Sequence, residues 1–301
     1  METISVVISA WNEEAKIKRC LESVHWADEI IVVDNCSTDA TARVAKRNKA
    51  KVFSRPNDPM LNVNKNFGFD QATGDWILSL DADEIIPAPL ATEIKDCVGH
   101  TTCVGFWIAR KNILFGKWIR HGLWWPDKQL RLFRRGKGRF PCVHVHEYLE
   151  VDGISGLLQE PYIHHNYENI SQFIRKMDTL YTESEVLKLL RTNYQLEWYD
   201  ALRFPLSDFV KVYFAQSGYK DGLHGLILAL LQSFYSFVVF AKVWEKKRCA
   251  DLEISLDQVS AEFLNNKRDI FYWLLTAKIK ESRFIGKKLM LKLRRWYANK
   301  Q

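Results

Sequence analysis

The chain has 301 residues, 47% hydrophobic and 26% charged, with a net charge of +7. That balance excludes a disordered chain, and the length allows one large domain or two. Residues 278–301 hold nine Lys and Arg against one acid, Glu281, and the body before them has a net charge of −1, which excludes a basic catalytic groove and gives the tail an anionic surface as its partner.

The N-terminal region reads as alternating strands and helices. Ile4 to Ile8 is a short β-branched run and the first strand. Asn12 is expected to cap the helix that follows, with Glu13 and Glu14 in its first turn. Ile17, Cys20, Leu21 and Val24 recur with the spacing of one buried helical face. Glu29 to Val33 is the second strand. Ser37, Thr38 and Asp39 cap a second helix running to about Arg47. Lys51 to Ser54 is the third strand, Asn62 to Ala72 a helix closed by Thr73 and Gly74, and Trp76 to Leu80 the fourth strand, which runs into Asp81-Ala82-Asp83.

This alternation predicts an α/β fold with a Rossmann-like, mostly parallel sheet and helices on its faces. Such sheets bind ligands beyond the carboxyl ends of their strands. Ser9, Ala10, Trp11, Asn12 and Glu13 follow the first strand, Asp34 and Asn35 the second, and Asp81 and Asp83 the fourth. Residues 85–161 are rich in Trp and Arg with mixed strand signals, and from Ile170 the chain reads as a helical extension. Cys20, Cys36, Cys97, Cys103, Cys142 and Cys249 form no CxxC pair, which fits reduced thiols in the cytosol. The first apolar run lacks a basic leader and is too short for a signal peptide.

Two carboxylates two residues apart at a strand end can bind Mn2+ or Mg2+, which prefer oxygen ligands and commonly bridge phosphates. Alone the pattern is weak, since acidic pairs after strands are common. Its place after a fourth parallel strand, beside Asp34, strengthens it. GxGxxG and GxxxxGK[ST] are both missing from the sequence, which argues against a nicotinamide dehydrogenase or a P-loop ATPase. His144 and His146 alternate along one segment, and either can complete a metal shell, with His146 the candidate ligand; a hydrogen-bonded structural histidine is the bland alternative, as for His164 and His165. Arg131, Arg134 and Arg135 are either phosphate clamps or a solvated strand edge. Trp124 and Trp125 either stack on sugars or fill a core.

Four ordered segments carry a resemblance: Val6 to Glu14, Ile31 to Asp39, Asn64-Lys65-Asn66, and Gly74 to Glu84. Together they resemble the family-2 inverting glycosyltransferases of the GT-A fold. The stretch from Trp118-Ile119-Arg120-His121 to His146-Glu147 is similar to a narrower branch that adds glucose to the heptose of the lipopolysaccharide inner core.

The resemblance implies a UDP-sugar donor and a lipid-linked saccharide acceptor. Ser9, Ala10 and Trp11 fall in the first of its donor segments. Glu13 and Asp34 would contact the nucleoside, Lys65 would lie near the donor, Asp81 would meet ribose or diphosphate, and Asp83 would bind the metal. An inverting transfer needs one general base. Glu147 sits where relatives place a catalytic acid and is preferred over its rival Asp127, for which a turn residue after Pro126 is the bland reading. Relatives usually carry Gly where this chain has Cys36, so a positive φ there would be strained.

The expected organisation is a catalytic domain over 1–165, with 1–85 its nucleotide-sugar half and 86–165 its acceptor half, followed by a helical region over 166–301. Gly222 to Ala241 has no charged residue but includes His224, Gln232 and Tyr235, which favours a buried or interfacial helix over a membrane span. In the tail Leu289, Leu293 and Trp296 keep one helical face among cations, the pattern of an in-plane helix on anionic lipid. The enzyme is therefore expected in the cytoplasm, peripheral on the inner face of the cytoplasmic membrane. The competing readings are a sugar nucleotidyltransferase and a non-enzymatic protein binding an anionic surface or nucleic acid. The near-neutral body and the lack of a nucleic-acid motif count against nucleic acid as a partner.

Overall fold

The computed structural model describes residues 2–58, 60–143, 147–192 and 194–298. His144 and His146, the first as an alternative metal ligand and the second as the candidate one, lie outside the described residues. The chain divides into two compact units, Met1–Leu114 with Trp125–Asn166, and Phe115–Trp124 with Tyr167–Gln301.

The first unit is a mixed α/β layer structure. Its strands are β1 (Ile4–Ala10), β2 (Glu29–Asp34), β3 (Lys51–Ser54), β4 (Trp76–Asp81), β5 (Glu84–Ile85) and β6 (Gly105–Leu114). After the short β7 (Lys117–Trp118), which falls in the second unit, come β8 (Asp127–Arg134), β9 (Gly138–Arg139), β10 (Glu150–Val151), β11 (Ser155–Leu157) and β12 (Tyr162–Tyr167). The main sheet runs β3-β2-β1-β4-β8-β6-β12-β5. Its first four strands are parallel, while β8 is antiparallel to both β4 and β6, and β12 to β5. The parallel half is the part that the strand–helix alternation announced; the other half is built from the Trp- and Arg-rich middle segment.

Helices α1 (Ile17–Glu22), α2 (Thr41–Arg47), α3 (Leu61–Gln71) and α4 (Ala88–Val98) cover this sheet. Both faces are buried, as a parallel sheet requires: Val6 and Ile8 enter one core with Ile17, Leu21, Trp76, Leu90 and Ile94, and Val7 enters another with Ile31, Val33, Phe69 and Phe133. Gly68 sets the distance of α3 from the sheet. A Cβ there would lie 2.5 Å from Val7 Cγ1 and 2.9 Å from Val33 Cγ2, so only glycine lets α3 lie this close.

The helix α1 starts later than expected. Asn12 does not cap it: its φ is +54°, its Oδ1 accepts from Thr38 N at 2.8 Å, and Lys16 precedes a helix with no acid in its first turn. Asn12 instead ties the β1–α1 loop to the β2–α2 loop. Glu14 is likewise turned to α2, where its Oε2 accepts from Ala40 N at 2.8 Å. Asp39 Oδ1 accepts from Thr41 N at 2.9 Å, but the residue at the cap position is Ala40, with no side-chain cap, so Ser37, Thr38 and Asp39 precede α2 without capping it.

The second unit is helical: α5 (Ile170–Lys176), α6 (Thr182–Arg191), α7 (Asp200–Phe209), α8 (Leu223–Lys246), α9 (Leu256–Glu281) and α10 (Ile285–Ala298), with π-helical segments at Met177–Tyr181 and Val210–Ala215. Val186 of α6 packs on Val239 and Val243 of α8. A full capping box, Ser255 with Gln258, starts α9. By length and composition α8 is able to cross a membrane, yet one side of it is covered by α6 and α7.

Candidate active site

The sheet register assembles one polar row. Ala10 pairs with Asp34 and Ser9 with Asp81, so the carboxyl ends of β1, β2 and β4 end level. The two connecting loops above them are stitched together: Asn12 N donates to Ser37 Oγ at 2.9 Å, and Glu13 N to Thr41 Oγ1 at 2.8 Å. Trp11 is exposed. Asn12 and Cys36, one in each loop, both have φ of +54°. The strain expected at Cys36 is therefore present, on the order of 1–2 kcal/mol relative to glycine.

Asp34 is buried, and its Oδ2 accepts from Ser37 N at 3.3 Å. Its Oδ1 is buried with no hydrogen-bond partner among the described residues. A buried acceptor left open costs about 1–3 kcal/mol, and a ligand N–H or O–H would recover it. Asn35, buried beside it, donates to Ser9 Oγ at 3.1 Å and accepts from Asn64 Nδ2 at 2.8 Å. The strained loop thus leaves Asn35 turned inward, holding α3 against the strand end.

The Asp81 carboxylate lies between two cations, with Lys65 Nζ at 2.6 Å from Oδ1 and Arg131 Nη2 at 3.0 Å from Oδ2. Burial pushes Asp81 up, but Lys65 and Arg131 outweigh it and hold the carboxyl well below the usual carboxylate range. Arg131 also reaches the fully buried Glu84 at 2.6 Å. The three basic residues of β8 and its end are thereby accounted for without phosphate: Arg134 pairs with Glu2 at 3.0 Å and Arg135 Nε donates to Gly74 O at 2.9 Å. Of the two readings of these arginines, a phosphate clamp or a solvated edge, neither describes Arg131, which is buried against Asp81 and Glu84.

Asp83 differs. Its nearest basic groups are His164 Nε2 at 3.6 Å and Lys16 Nζ at 3.7 Å, both longer than an ordinary hydrogen bond. Burial raises its pKa, and His164 and Lys16 bring it down below the ordinary value. Lys16 also lies 3.7 Å from Glu13.

His164 is the residue that sequence reading set aside as structural. Its Nδ1 lies 2.7 Å from Asn112 Oδ1, and Asn112 Nδ2 donates to Asp127 Oδ2 at 3.0 Å. An ionised carboxylate only accepts, so the Asn112 amide must give its NH2 to Asp127 and its oxygen to His164. The His164 Nδ1 then donates to Asn112, which leaves Nε2 facing Asp83.

Asp127 also pairs with Arg110 Nη2 at 2.6 Å and accepts from Gln129 Nε2 at 2.8 Å. Burial raises its pKa, but Arg110, Asn112 and Gln129 together lower it. Glu147 accepts from Asn62 Nδ2 at 2.9 Å and from the backbone N–H of Cys142 at 2.7 Å and Val143 at 2.8 Å. Asn62 stands one turn before Lys65 on α3, so Glu147 joins the helix that also serves Asp81.

Among the described residues no three His, Cys, Asp or Glu side chains form a ready metal cage. Mg2+ and Mn2+ more often take one or two protein ligands and complete their shell with substrate phosphates and water. Asp83 with His164 Nε2 fits that mode.

Residues 5–149 match the family model described as Glycosyl transferase family 2. This part of the chain is a family 2 glycosyltransferase domain. The chain is 27% identical over 255 residues to the lipopolysaccharide core biosynthesis glycosyltransferase LpsC of Rhizobium meliloti, covering 81% of this chain and 92% of LpsC. Among solved structures, the glycosyltransferase is similar to S. aureus TarS 1–349 in complex with UDP-GlcNAc, with a TM-score of 0.44 and 17% identity over 90% of this chain and 81% of that one. It spans 54% of a longer TarS chain. It is also similar to glucosyl-3-phosphoglycerate synthase from Mycobacterium tuberculosis in complex with Mn2+, UDP and glucosyl-3-phosphoglycerate, with a TM-score of 0.42 and 20% identity over 64% of this chain and 81% of that one. The family sets aside both the nucleotidyltransferase and the non-enzymatic readings. The mixed sheet with a parallel N-terminal half and C-terminal helices is of the GT-A kind expected.

Asn112 and Arg110 had no signal of their own in the sequence. Asn62, Asn64 and Asn66 did. Three Asn within one short helix is a poor choice for helix formation, and all three are buried in hydrogen bonds.

Proposed function

We propose that the enzyme moves a sugar from a UDP-sugar, UDP-glucose first among the candidates, onto a lipid-linked saccharide of the lipopolysaccharide inner core, with heptose as acceptor and inversion at the anomeric carbon. Residues 1–85 would bind the donor and 86–165 the acceptor. The observation that carries the donor reading is the row of Asp34 and Asp81 at the level ends of β2 and β4, with Asp83 just beyond, and the buried Oδ1 of Asp34 open to a nucleoside N–H. Ser9, Ala10, Trp11 and Glu13 would frame the same edge, and Lys65 would hold Asp81 ionised beside the ribose or diphosphate.

Glu147 is the proposed base. It would take the proton of the acceptor hydroxyl as that oxygen bonds to the anomeric carbon and UDP leaves with the bonding electrons of the donor C–O bond. Asp127, its rival, is held by Arg110, Asn112 and Gln129; its proposed task is to orient Asn112 and, through it, His164. A divalent ion held by Asp83 and His164 would neutralise charge on the departing diphosphate when bound. The tail would rest on anionic lipid at the inner face of the cytoplasmic membrane, where such acceptors are met. LpsC, named for lipopolysaccharide core biosynthesis, supports the acceptor class.

The test is transfer from a panel of UDP-sugars to heptose-terminated core saccharides, with the product's anomeric configuration read by NMR. Transfer with inversion, lost in Glu147→Gln, is expected. Retention of configuration, or full activity in Glu147→Gln, would contradict the mechanism.

A further inference from the structure

The helices α9 and α10 form a hairpin. Leu291 is buried on the inner side of α10, and Arg295 crosses to α9, where it donates to Thr276 Oγ1 at 2.9 Å and lies over the Tyr272 ring. Between the two helices runs a groove of ≈ 900 Å³. Its apolar lining is Leu264 and Phe271 from α9 with Leu293 and Trp296 from α10, all between 43% and 65% exposed. Lys267, Arg268 and Arg294 line it too, and among the described residues no Asp or Glu does.

We propose that this groove seats an anionic membrane phospholipid, an acyl chain along Leu264, Phe271, Leu293 and Trp296 and the phosphate against Lys267, Arg268 and Arg294. This deepens the reading of the tail as a membrane contact and rests on it, but not on the donor chemistry. The occupant must satisfy both halves of the lining. A second copy of the chain would bring the same cations face to face, in a segment with nine Lys and Arg against one acid. Nucleic acid would meet the cations but leave Leu264 and Leu293 in water. An anionic amphiphile covers apolar and cationic groups together. Trp296 and Tyr297, both about 60% exposed, have the amphipathic rings suited to the depth where headgroup meets chain.

The experiment is co-sedimentation of the full chain with phosphatidylcholine vesicles with and without 30% phosphatidylglycerol, at fixed salt. The apolar groove variant Phe271→Ser with Leu293→Ser keeps net charge and alters only exposed side chains. It is expected to weaken binding to the anionic vesicles by roughly tenfold or more. Lys287→Ala with Lys288→Ala removes two charges outside the groove and should weaken it less. Wild-type-like binding by the apolar variant would overturn the groove, as would a dimer in light scattering that this variant abolishes, or DNA retention that anionic vesicles do not displace. The UDP-induced thermal shift, measured on the same samples, reads the donor site separately: vesicle binding in the expected pattern supports the groove whether or not UDP binds.

Discussion

In the first unit the charged groups are drawn inward. Arg131, Glu84 and Asp34 are buried, and each of their neighbours Asn35, Asn62, Asn64 and Asn112 is at most 5% exposed. In the second unit the large apolar groups are left outside. Leu230, Phe234, Phe237 and Trp244 are exposed on α8 at the spacing of one helical stripe, as are Leu289, Leu293 and Trp296 on α10. Buried charge is costly unless paired, and exposed apolar stripes are rare on soluble surfaces unless something covers them. The contrast fits the proposed partners: a small, charged, hydrogen-bonding ligand for the first unit, and an apolar surface with anionic groups for the second.

The sharpest way to break the contrast is at the proposed base. Glu147→Gln should lower kcat by roughly 10²–10⁴ while leaving metal-dependent UDP binding unchanged; a larger loss in Asp127→Asn with UDP and metal binding intact would transfer the role to Asp127. Next is the buried ion group. Arg131→Met leaves Glu84 without its cation and should destabilise the protein by about 3–5 kcal/mol in denaturant unfolding. Arg134→Met, which breaks a partly exposed pair, should cost about 0–1 kcal/mol. Equal costs would show that burial does not govern these pairs.

Smaller effects sharpen the picture. Asn112→Leu removes the group that fixes the His164 tautomer and should weaken Mn2+ binding in the presence of UDP by about 10–100-fold, read as free Mn2+ by electron paramagnetic resonance. Unchanged affinity would leave His164 out of the metal's shell. Glu29, away from the site, gives a pH signature. Burial raises its pKa, but hydrogen bonds from Lys51, Ser5 and Thr73 bring it down to about 2. A depressed folded-state pKa stabilises above the unfolded value near 4.5, and that gain is lost as pH falls toward 2. Since Lys51 is largely exposed, about 1–2 kcal/mol is expected, and unfolding of Glu29→Gln should lack this part of the acid dependence.

The parallel half of the fold was legible because β-branched runs, helical spacing and turn residues agree over the first 85 residues. The strand-end carboxylates followed from that, since a parallel sheet leaves few places for a ligand. Asn12 was misread because Asn is equally at home as a helix cap and in a left-handed turn, and only the partner loop decides. The surroundings of Asp127 and His164 were not legible for a related reason. What the two residues do depends on Asn112, which is 15 residues from one and 52 from the other, and no local pattern links the three. The cation surplus of the tail was visible, but not that α9 would supply half of a groove.

The proposed donor site would bind a uridine nucleotide through a metal at Asp83. Thermal unfolding with UDP, with and without Mn2+, on wild type and Asp83→Ala tests it directly. At about 100 times the dissociation constant, UDP adds ~2.7 kcal/mol of stability. The expected result is a rise of several degrees in Tm for wild type with UDP and Mn2+ together, much reduced without the metal and lost in Asp83→Ala. An equal rise in the variant, or no rise with any uridine nucleotide in wild type, would contradict the account.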